Sequence, residues 1–231
     1  MQSNISKMEQ ILSNIKIKVN EKLYVKDPET SVLGKKIIEE SILLIDTIGF
    51  DDFTFKKLGE KIGSNESSIY RYFENKHKLL VYLSSWYWSW MEYKLVFATT
   101  NYSNPSEKLK KAISIVTEKV EDDQNTMHIN EAILNKIIIA EFTKTFHTKE
   151  VDQENKEGFY YIYIRVINRL TSIIKEVNPD YLYAKTLASS VVEGAMHQHF
   201  LKDHMQAITD CSQTTSPTHF YLNLIENILK K

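Results

Sequence analysis

The chain has 231 residues, with 29 Lys and Arg against 30 Asp and Glu, so its formal net charge is −1. Six glycines, four prolines and long stretches of 3.6-residue apolar period predict an all-α protein that is large enough to bury a core. Cys211 is the single cysteine, which excludes an internal disulfide. Residues 1–10 contain no apolar signal core and the longest apolar run, 159–164, is far too short for a membrane span. We therefore expect a cytoplasmic protein.

The first 26 residues form a separate segment with an apolar helical stripe but no strong caps. Two interpretations stay open, a flexible leader or a helical arm that packs on the body or touches DNA. Asp27-Pro28-Glu29 then has the pattern of a helix start, with Asp27 as the N-cap and Pro28 in the first position. This helix is predicted to run to Ile48 and to end at Gly49.

The stretch 49–80 predicts two short helices joined by a tight turn. Thr54 is a good N-cap for the first helix, and Gly63 ends it where a left-handed residue is needed. Asn65 caps the second helix, in which Ile69 and Phe73 are expected to face inward. Two short helices around a glycine turn are the plan of a helix-turn-helix, which binds DNA through its second helix.

The rest of the chain predicts six further helices. Residues 121–126 are polar and indicate a loop, and residues 147–157 are charged and indicate a mobile connector. The predicted helices span approximately 76–99, 105–120, 131–143, 158–177, 180–204 and 217–230.

The helix-turn-helix region carries the spaced pattern Thr-x3-Leu-x4-Gly-x5-Ile-Tyr-x-Tyr-Phe-x2-Lys-x2-Leu-Leu, which begins at Thr54 and ends at Leu80. With Gly49-Phe50 and Phe53 before it, this pattern resembles the N-terminal domain of TetR/AcrR-type one-component transcriptional regulators. The resemblance covers residues 28–80. It implies a DNA-binding domain at 27–80 and an effector-binding and dimerisation domain at 81–231, while residues 1–26 stay a leader or a helical arm.

The resemblance also implies which residues contact DNA. Arg71 is the expected specificity residue, because a guanidinium pairs both acceptors of a guanine. Glu66 either accepts from a cytosine amino group or repels phosphate. Five side chains are expected to face the major groove, namely Glu66, Ser67, Ser68, Arg71 and Tyr72. Tyr70 and Lys76 are expected to bond phosphates, Thr54 to contact the DNA backbone, and Lys56 to reach a base or a phosphate.

The charge balance of this region is unusual for a DNA-binding domain. Residues 28–80 contain eight Lys and Arg and nine Asp and Glu, a net charge of −1. DNA binding therefore requires that the cations lie on one face, and we expect modest non-specific affinity with a steep salt dependence. The cations expected on that face are Lys35, Lys36, Lys56, Lys57, Arg71, Lys76 and Lys78.

The long helix from Lys76 carries an aromatic stripe. In the family this helix couples a ligand cavity to the DNA-binding domain, so its aromatic residues are candidates for a pocket that binds a small hydrophobic or aromatic effector. The alternative is that they pack in the core, as aromatic stripes on helices usually do. The candidate effector-binding residues are Trp86, Tyr87, Trp90, Tyr93, Tyr160 and Tyr163.

The last two helices carry more apolar residues than a terminal pair needs to cover a small core. The resemblance implies that they form a two-fold symmetric homodimer interface, which would match a palindromic operator. The alternative is packing within one chain. The candidate dimerisation residues are Val191, Val192, Met196, Phe200, Phe220, Leu224, Ile225 and Ile228.

The predicted function is a sequence-specific repressor that a small effector releases from double-stranded operator DNA. A helical dimeric adaptor that has lost DNA binding is the main alternative. An enzyme has no positive support, since the chain lacks a phosphate-binding glycine loop, a nucleophilic serine elbow and a CxxC motif. Glu193 and His197 lack a third ligand nearby in sequence, so we expect no metal and no cofactor.

Overall fold

The computed structural model describes residues 17–121 and 128–230, and the regular elements within those ranges are all helical. The all-α prediction is therefore confirmed. Short 3-10 segments occur at Glu21–Leu23, Pro28–Thr30 and Gln206–Ile208. The α-helices are α1 (Val32–Asp52), α2 (Phe55–Ile62), α3 (Glu66–Tyr70), α4 (Lys76–Thr99), α5 (Pro105–Thr117), α6 (Glu131–Phe146), α7 (Val151–Lys156), α8 (Tyr161–Val177), α9 (Ala184–His204) and α10 (Pro217–Leu229).

The described residues form two compact units. The first unit takes its residues from Met1–Ser89 and Val120–Tyr160, and the second takes them from Trp90–Lys119 and Tyr161–Lys231. The first unit therefore combines α1, α2 and α3 with α6 and α7, which follow much later in the chain. In the part of the chain that the structure describes, no helix is long and apolar enough to cross a membrane.

The start of α1 differs from the prediction. Asp27 does act as a cap, but it caps the 3-10 turn Pro28–Thr30 by accepting a hydrogen bond from the Glu29 amide at 2.9 Å. Ser31 is then extended and caps α1 through the amide of Gly34 at 3.1 Å. The turn packs so closely on α1 that a Cβ at Gly34 would lie 2.2 Å from the Pro28 carbonyl oxygen. Because the extended Ser31 separates the turn from α1, the helix begins with a cap of its own.

Most of the other helix boundaries follow the prediction, but α6 extends to Phe146 and not only to 143, and α8 begins at Tyr161 and not at 158. Gly49 has a φ of 77° and interrupts the helical backbone of α1 after Ile48, as predicted. The predicted connector at 147–157 instead contains α7, because Glu154 is buried and accepts hydrogen bonds from His77 and Tyr160. Helix α5 ends at Thr117 and not at 120, and α9 begins only at Ala184.

Part of the N-terminal segment packs on the first unit. Leu23 is fully buried, and the amide of Val25 donates to the Tyr72 carbonyl oxygen at 2.8 Å. Residues 20–26 therefore dock on the first unit, and their regular structure is limited to the 3-10 turn Glu21–Leu23, so a docked leader and a helical arm both stay open. Of the predicted apolar stripe from Ile5 to Val19, the positions up to Ile15 lie outside the described residues, and Val19 is half-buried and not helical.

Helix α4 is buried on all sides over much of its length. Every residue from Leu79 to Glu92 is buried, including Val81 and Trp88, which lie away from the predicted stripe. A helix that is apolar around its whole circumference belongs in a protein interior. The prediction of a single buried stripe was therefore too narrow, because the other sides of the helix are buried as well. Tyr93, which belongs to the predicted stripe, is exposed.

His199 generates a pH prediction for the second unit. Its Nε2–H donates to the Thr117 carbonyl oxygen at 2.8 Å, at the end of α5, and burial lowers the pKa of His199 below its usual 6.5. Below pH 6.5 the unfolded chain therefore binds a proton that the folded protein does not, so the folded state loses stability as the pH falls.

We expect His199→Gln, which keeps a donor but cannot titrate, to lose less stability than the wild type between pH 7.5 and 5.5. The difference is at most about 1.4 kcal/mol per pH unit. Urea unfolding of both proteins at both pH values measures it, and equal losses would contradict the role given to His199.

Candidate DNA interface

Helices α2 and α3 are held in place by side-chain and glycine caps. The Thr54 hydroxyl accepts from the Lys57 amide at 3.2 Å, and the Asn65 carboxamide accepts from the Ser68 amide at 2.9 Å. Between the two helices Gly63 is left-handed, with a φ of 69° and a ψ of 35°. Residues other than glycine adopt this backbone conformation only at a steric cost, so Gly63 allows the sharp turn. All three predicted caps are present.

Apolar side chains fix the orientation of α3. Ile69 and Phe73 are fully buried, together with Leu58 and Phe53. Because Ile69 and Phe73 occupy the inward face of α3 and of the turn after it, the opposite face is presented outward. The outward residues are the ones that decide what this helix can bind.

The outward face of α3 carries hydroxyl acceptors beside a guanidinium. Ser67 and Ser68 both donate their hydroxyl hydrogens to the Asn65 carboxamide oxygen, at 2.9 and 2.7 Å. Their oxygens therefore remain available as acceptors, which suits the amino groups that adenine and cytosine present in the major groove. Arg71 is exposed, and Glu66 is half-buried in the first turn.

Three of the residues predicted to contact the DNA backbone are exposed on the surface. Thr54 and Lys56 are exposed at the start of α2. Tyr70 is 48% exposed and its ring packs edge-on against Phe55 at 5.0 Å between centroids. These three side chains have the exposure that the prediction requires.

Tyr72 differs from the prediction that it faces the groove. It is only 4% exposed, and its hydroxyl is hydrogen-bonded to the Ser31 hydroxyl at 2.8 Å. The Lys26 ammonium lies 5.2 Å from the centroid of its ring. Tyr72 therefore anchors the chain before α1. Its spacing of three residues from Ile69 is the sequence signal that would have indicated an inward position.

Lys76 also differs from its predicted phosphate role. Its ammonium donates to the carbonyl oxygens of Phe50, Asp51 and Phe53, at 3.0, 2.9 and 3.1 Å. A lysine ammonium has three hydrogens, so these bonds use its full donor capacity. Lys76 therefore joins the beginning of α4 to the end of α1.

Other lysines of the region are engaged in the same way. Lys36 donates to the Ile62 carbonyl oxygen at the end of α2, Lys57 to that of Asp52, and Lys78 to that of Lys22, at 3.0, 2.8 and 3.2 Å. Lys61 pairs with Glu40. Of the cations in 28–80, only Lys35, Lys56 and Arg71 have no bonded partner among the described residues.

Helix α6 supports the end of α1 through residues that the sequence analysis did not identify. The Glu141 carboxylate accepts from the Phe50 amide at 3.3 Å, and the Lys144 ammonium bonds to Asp51 and Glu141, both at 2.8 Å. The hydrogen bond from Lys144 lowers the pKa of Asp51. No local pattern indicates a pairing across about ninety residues, since only the folded chain brings these residues together.

The six aromatic candidates do not form one cluster within a unit. Trp86, Tyr87 and Tyr160 belong to the first unit, while Trp90, Tyr93 and Tyr163 belong to the second. Several of their hydroxyls are bonded within their own unit. Tyr87 accepts from Asn135 at 2.8 Å, Tyr160 donates to Glu154 and Thr145, and Tyr163 donates to Glu193 at 2.6 Å.

The dimerisation candidates divide into a buried and an outward group. Val191, Val192, Met196 and Ile225 are buried within the second unit. Phe220, Leu224 and Ile228 recur at intervals of four residues along α10 and are exposed or half-buried, and Phe200 is half-buried on α9. Among the described residues, no group of three His, Cys, Asp or Glu side chains is arranged to hold a metal ion.

The sequence model described as "Bacterial regulatory proteins, tetR family" matches residues 37–83, which contain most of α1, all of α2 and α3, and the start of α4. The chain is a TetR-type regulator. No curated protein has a sequence that matches that of this TetR-type regulator.

Solved structures share the fold of this TetR-type regulator at low sequence identity. AibR, in complex with isovaleryl coenzyme A and operator DNA, is 12% identical with a TM-score of 0.54, over 84% of this chain and 96% of AibR. The regulator PfmR from Thermus thermophilus is 14% identical with a TM-score of 0.53, over 84% and 96%. The fatty acid degradation regulator FadR from Bacillus halodurans is 16% identical with a TM-score of 0.52, over 84% and 92%.

The bonds of Lys76 generate a stability prediction for the TetR-type domain. We expect Lys76→Met to lower the free energy of unfolding by about 1–3 kcal/mol, because it leaves three carbonyl oxygens without their charged donor. Lys56→Met removes an exposed lysine without a bonded partner and should change the free energy by less than about 0.5 kcal/mol. Urea unfolding compares the two variants. Equal small effects would contradict a structural role for Lys76.

Proposed function

We propose that this regulator is a repressor, which binds a palindromic operator as a homodimer and is released by a small effector. The observation that carries the proposal is the outward face of α3, where an unbonded guanidinium stands beside two serine hydroxyls whose oxygens are free to accept. This combination fits base recognition, because it offers a bidentate donor for guanine and acceptors for exocyclic amino groups.

The distribution of bonded and unbonded cations in residues 28–80 supports contacts to bases more than contacts to phosphates. Three cations of residues 28–80 remain without a bonded partner among the described residues, whereas the others stabilise helix ends or pair with carboxylates. In this proposal Arg71 selects guanine and Glu66 accepts from a cytosine amino group. Lys35 and Lys56 supply the contacts to phosphates. Non-specific affinity is then low, because phosphate contacts provide most of it.

The outward stripe on α10 supports the homodimer. Phe220, Leu224 and Ile228 present an apolar surface while Tyr221, Ile225 and Leu229, one position later, face the interior of the second unit. A second copy of the same stripe would cover it through a two-fold axis, and the two copies of α3 would then meet the two halves of a palindrome.

The effector part of the proposal draws on the similar structures. AibR was solved with isovaleryl coenzyme A and operator DNA, and FadR is described as a fatty acid degradation regulator. A small hydrophobic effector is therefore our proposal for this chain as well. The effector acts by shifting α4, whose first residue holds the end of α1. Release requires that the effector binds the form that is incompetent for DNA more tightly than the competent form.

An adaptor that has lost DNA binding is the second candidate. The observation that favours it is the net charge of −1 in residues 28–80, together with the engagement of most of the lysines. Such a protein would still form a dimer but would not bind DNA in a salt-dependent way.

Binding to the DNA upstream of its own gene, measured by fluorescence anisotropy, tests the regulator function. Arg71→Ala should weaken binding to the specific site by about 1–3 kcal/mol and leave non-specific binding nearly unchanged. Lys175→Ala is the matched control, since it removes one exposed positive charge from the second unit. Absence of binding at low salt, to this fragment and to bulk DNA, would overturn the regulator function and favour the adaptor.

The dimer has its own test, because the outward stripe can be altered without opening the core. We expect Phe220→Glu to convert the dimer into monomers in sedimentation velocity, since it places a charge in an apolar interface. Asn223→Glu on the exposed side of the same helix should remain dimeric. A dimer that persists in Phe220→Glu would show that the interface lies elsewhere.

A further inference from the structure

A cleft of about 290 Å³ lies within the second unit, between the end of α4, the start of α5 and the middle of α8. Apolar side chains of Leu95, Val96 and Ile173 form part of its wall, and Arg169 and Lys108 bring positive charge to it. Apolar walls with a few polar groups that fix orientation are typical of sites for small ligands. The cleft is at the small end of the usual range.

Arg169 has hydrogen-bond donors that are not used within the described part of the chain. Its Nε–H is bonded to the carboxylate of Glu92, a buried residue of α4, but within the described part of the chain its two Nη groups make no hydrogen bond. Arg165, one turn earlier on α8, binds the same carboxylate through Nε and Nη2 at 3.0 and 2.6 Å. Two guanidinium groups thus share one carboxylate, which leaves one positive charge uncompensated.

The other polar groups of the cleft do not compete for an anion. The hydroxyls of Thr99, Thr100 and Ser172 donate to backbone carbonyl oxygens of their own helices, at 2.7, 2.6 and 3.0 Å. They have no hydrogen left for an anionic ligand. Lys108 is held by both oxygens of Glu176, each at 2.8 Å, so its charge is already balanced. The free Nη donors of Arg169 are therefore the strongest anion-binding groups in the cleft.

We propose that this cleft binds a small organic monocarboxylate, whose carboxylate pairs with the free Nη groups of Arg169 and whose short apolar chain lies against Leu95, Val96 and Ile173. The planar guanidinium offers two parallel donors that match the two oxygens of a carboxylate, so it favours a carboxylate over an anion without this geometry. A single uncompensated charge matches a monoanion. Glu92 is the competing anion inside the protein.

The monocarboxylate would be the effector of the proposed function. Binding in the cleft does not depend on that function, but the release from DNA that binding would cause does. Arg169 contacts both the cleft and Glu92 of α4. A carboxylate that draws on the same guanidinium weakens the bond to Glu92 and thereby loosens α4, the helix that follows the helix-turn-helix.

Isothermal titration calorimetry of the full chain with hexanoate tests the site directly. Hexanoate should bind, hexanamide should bind at least about ten-fold more weakly because it lacks the charge, and acetate should bind weakly because it lacks the apolar chain. Arg169→Gln should weaken hexanoate binding by about ten-fold or more. Lys110→Gln, in the neighbouring cleft between α5 and α10, should bind hexanoate as the wild type does.

Glu92→Gln provides a second test, whose expected result, stronger binding of hexanoate, cannot arise from loss of structure. Removing the competing carboxylate should strengthen hexanoate binding several-fold, whereas a variant that merely unfolds would bind less. Equal affinity of wild type and Arg169→Gln for hexanoate would overturn the site. So would equal affinity of the wild type for hexanoate and hexanamide, or no binding of hexanoate at millimolar concentration.

The DNA measurement separates this site from the proposed function. If hexanoate binds as expected but leaves the affinity for the upstream DNA unchanged, the site stands and the effector-release function fails. If the protein binds no DNA at all, calorimetry still decides whether the cleft takes a monocarboxylate.

Discussion

The bonds from the Lys76 ammonium to the carbonyl oxygens of Phe50, Asp51 and Phe53 organise the DNA-binding region. The last carbonyl groups of a helix lack partners within it and carry the negative end of its dipole, so a cation there stabilises the end. Because Lys76 is also the first residue of α4, the same bonds tie α4 to α1 around the helix-turn-helix. Glu141 and Lys144 on α6 reinforce this end from the other side.

The use of lysines at helix ends explains how a region with a net charge of −1 can serve as a DNA-binding domain. A simple count of cations overestimates the number of ammonium groups that are free to bond phosphates, since Lys36, Lys57, Lys76 and Lys78 are bonded to carbonyl oxygens. Sequence recognition then depends on the few groups at the outward face of α3. A regulator of this kind would gain specificity at the expense of non-specific affinity, because base contacts and phosphate contacts contribute separately.

Local patterns were sufficient to predict most of the fold. The caps at Thr54 and Asn65, the left-handed Gly63 and the extent of α4 all follow from residue preferences that act over a few positions. The sequence prediction failed where distant residues decide. Tyr72 is buried by its bond to Ser31, α7 forms because Glu154 meets His77 and Tyr160, and the Glu92 pair with Arg165 and Arg169 joins helices that are about seventy residues apart. Tyr72 at least lies three residues from Ile69, a local spacing that indicates an inward position, whereas the contacts of Glu154 and Glu92 have no signature in the local sequence.

The salt dependence of specific DNA binding tests the electrostatic account most directly. If Lys35 and Lys56 of each protomer contact phosphates while Arg71 reads a base, a dimer neutralises about four phosphates, and the slope of log K against log salt should be about −4. If all seven candidate cations of each protomer contacted DNA, the slope would be about −13. Fluorescence anisotropy with the upstream DNA across a salt series distinguishes these values. A slope near −4 would support the structural role of the lysines, and a slope near −13 would contradict it.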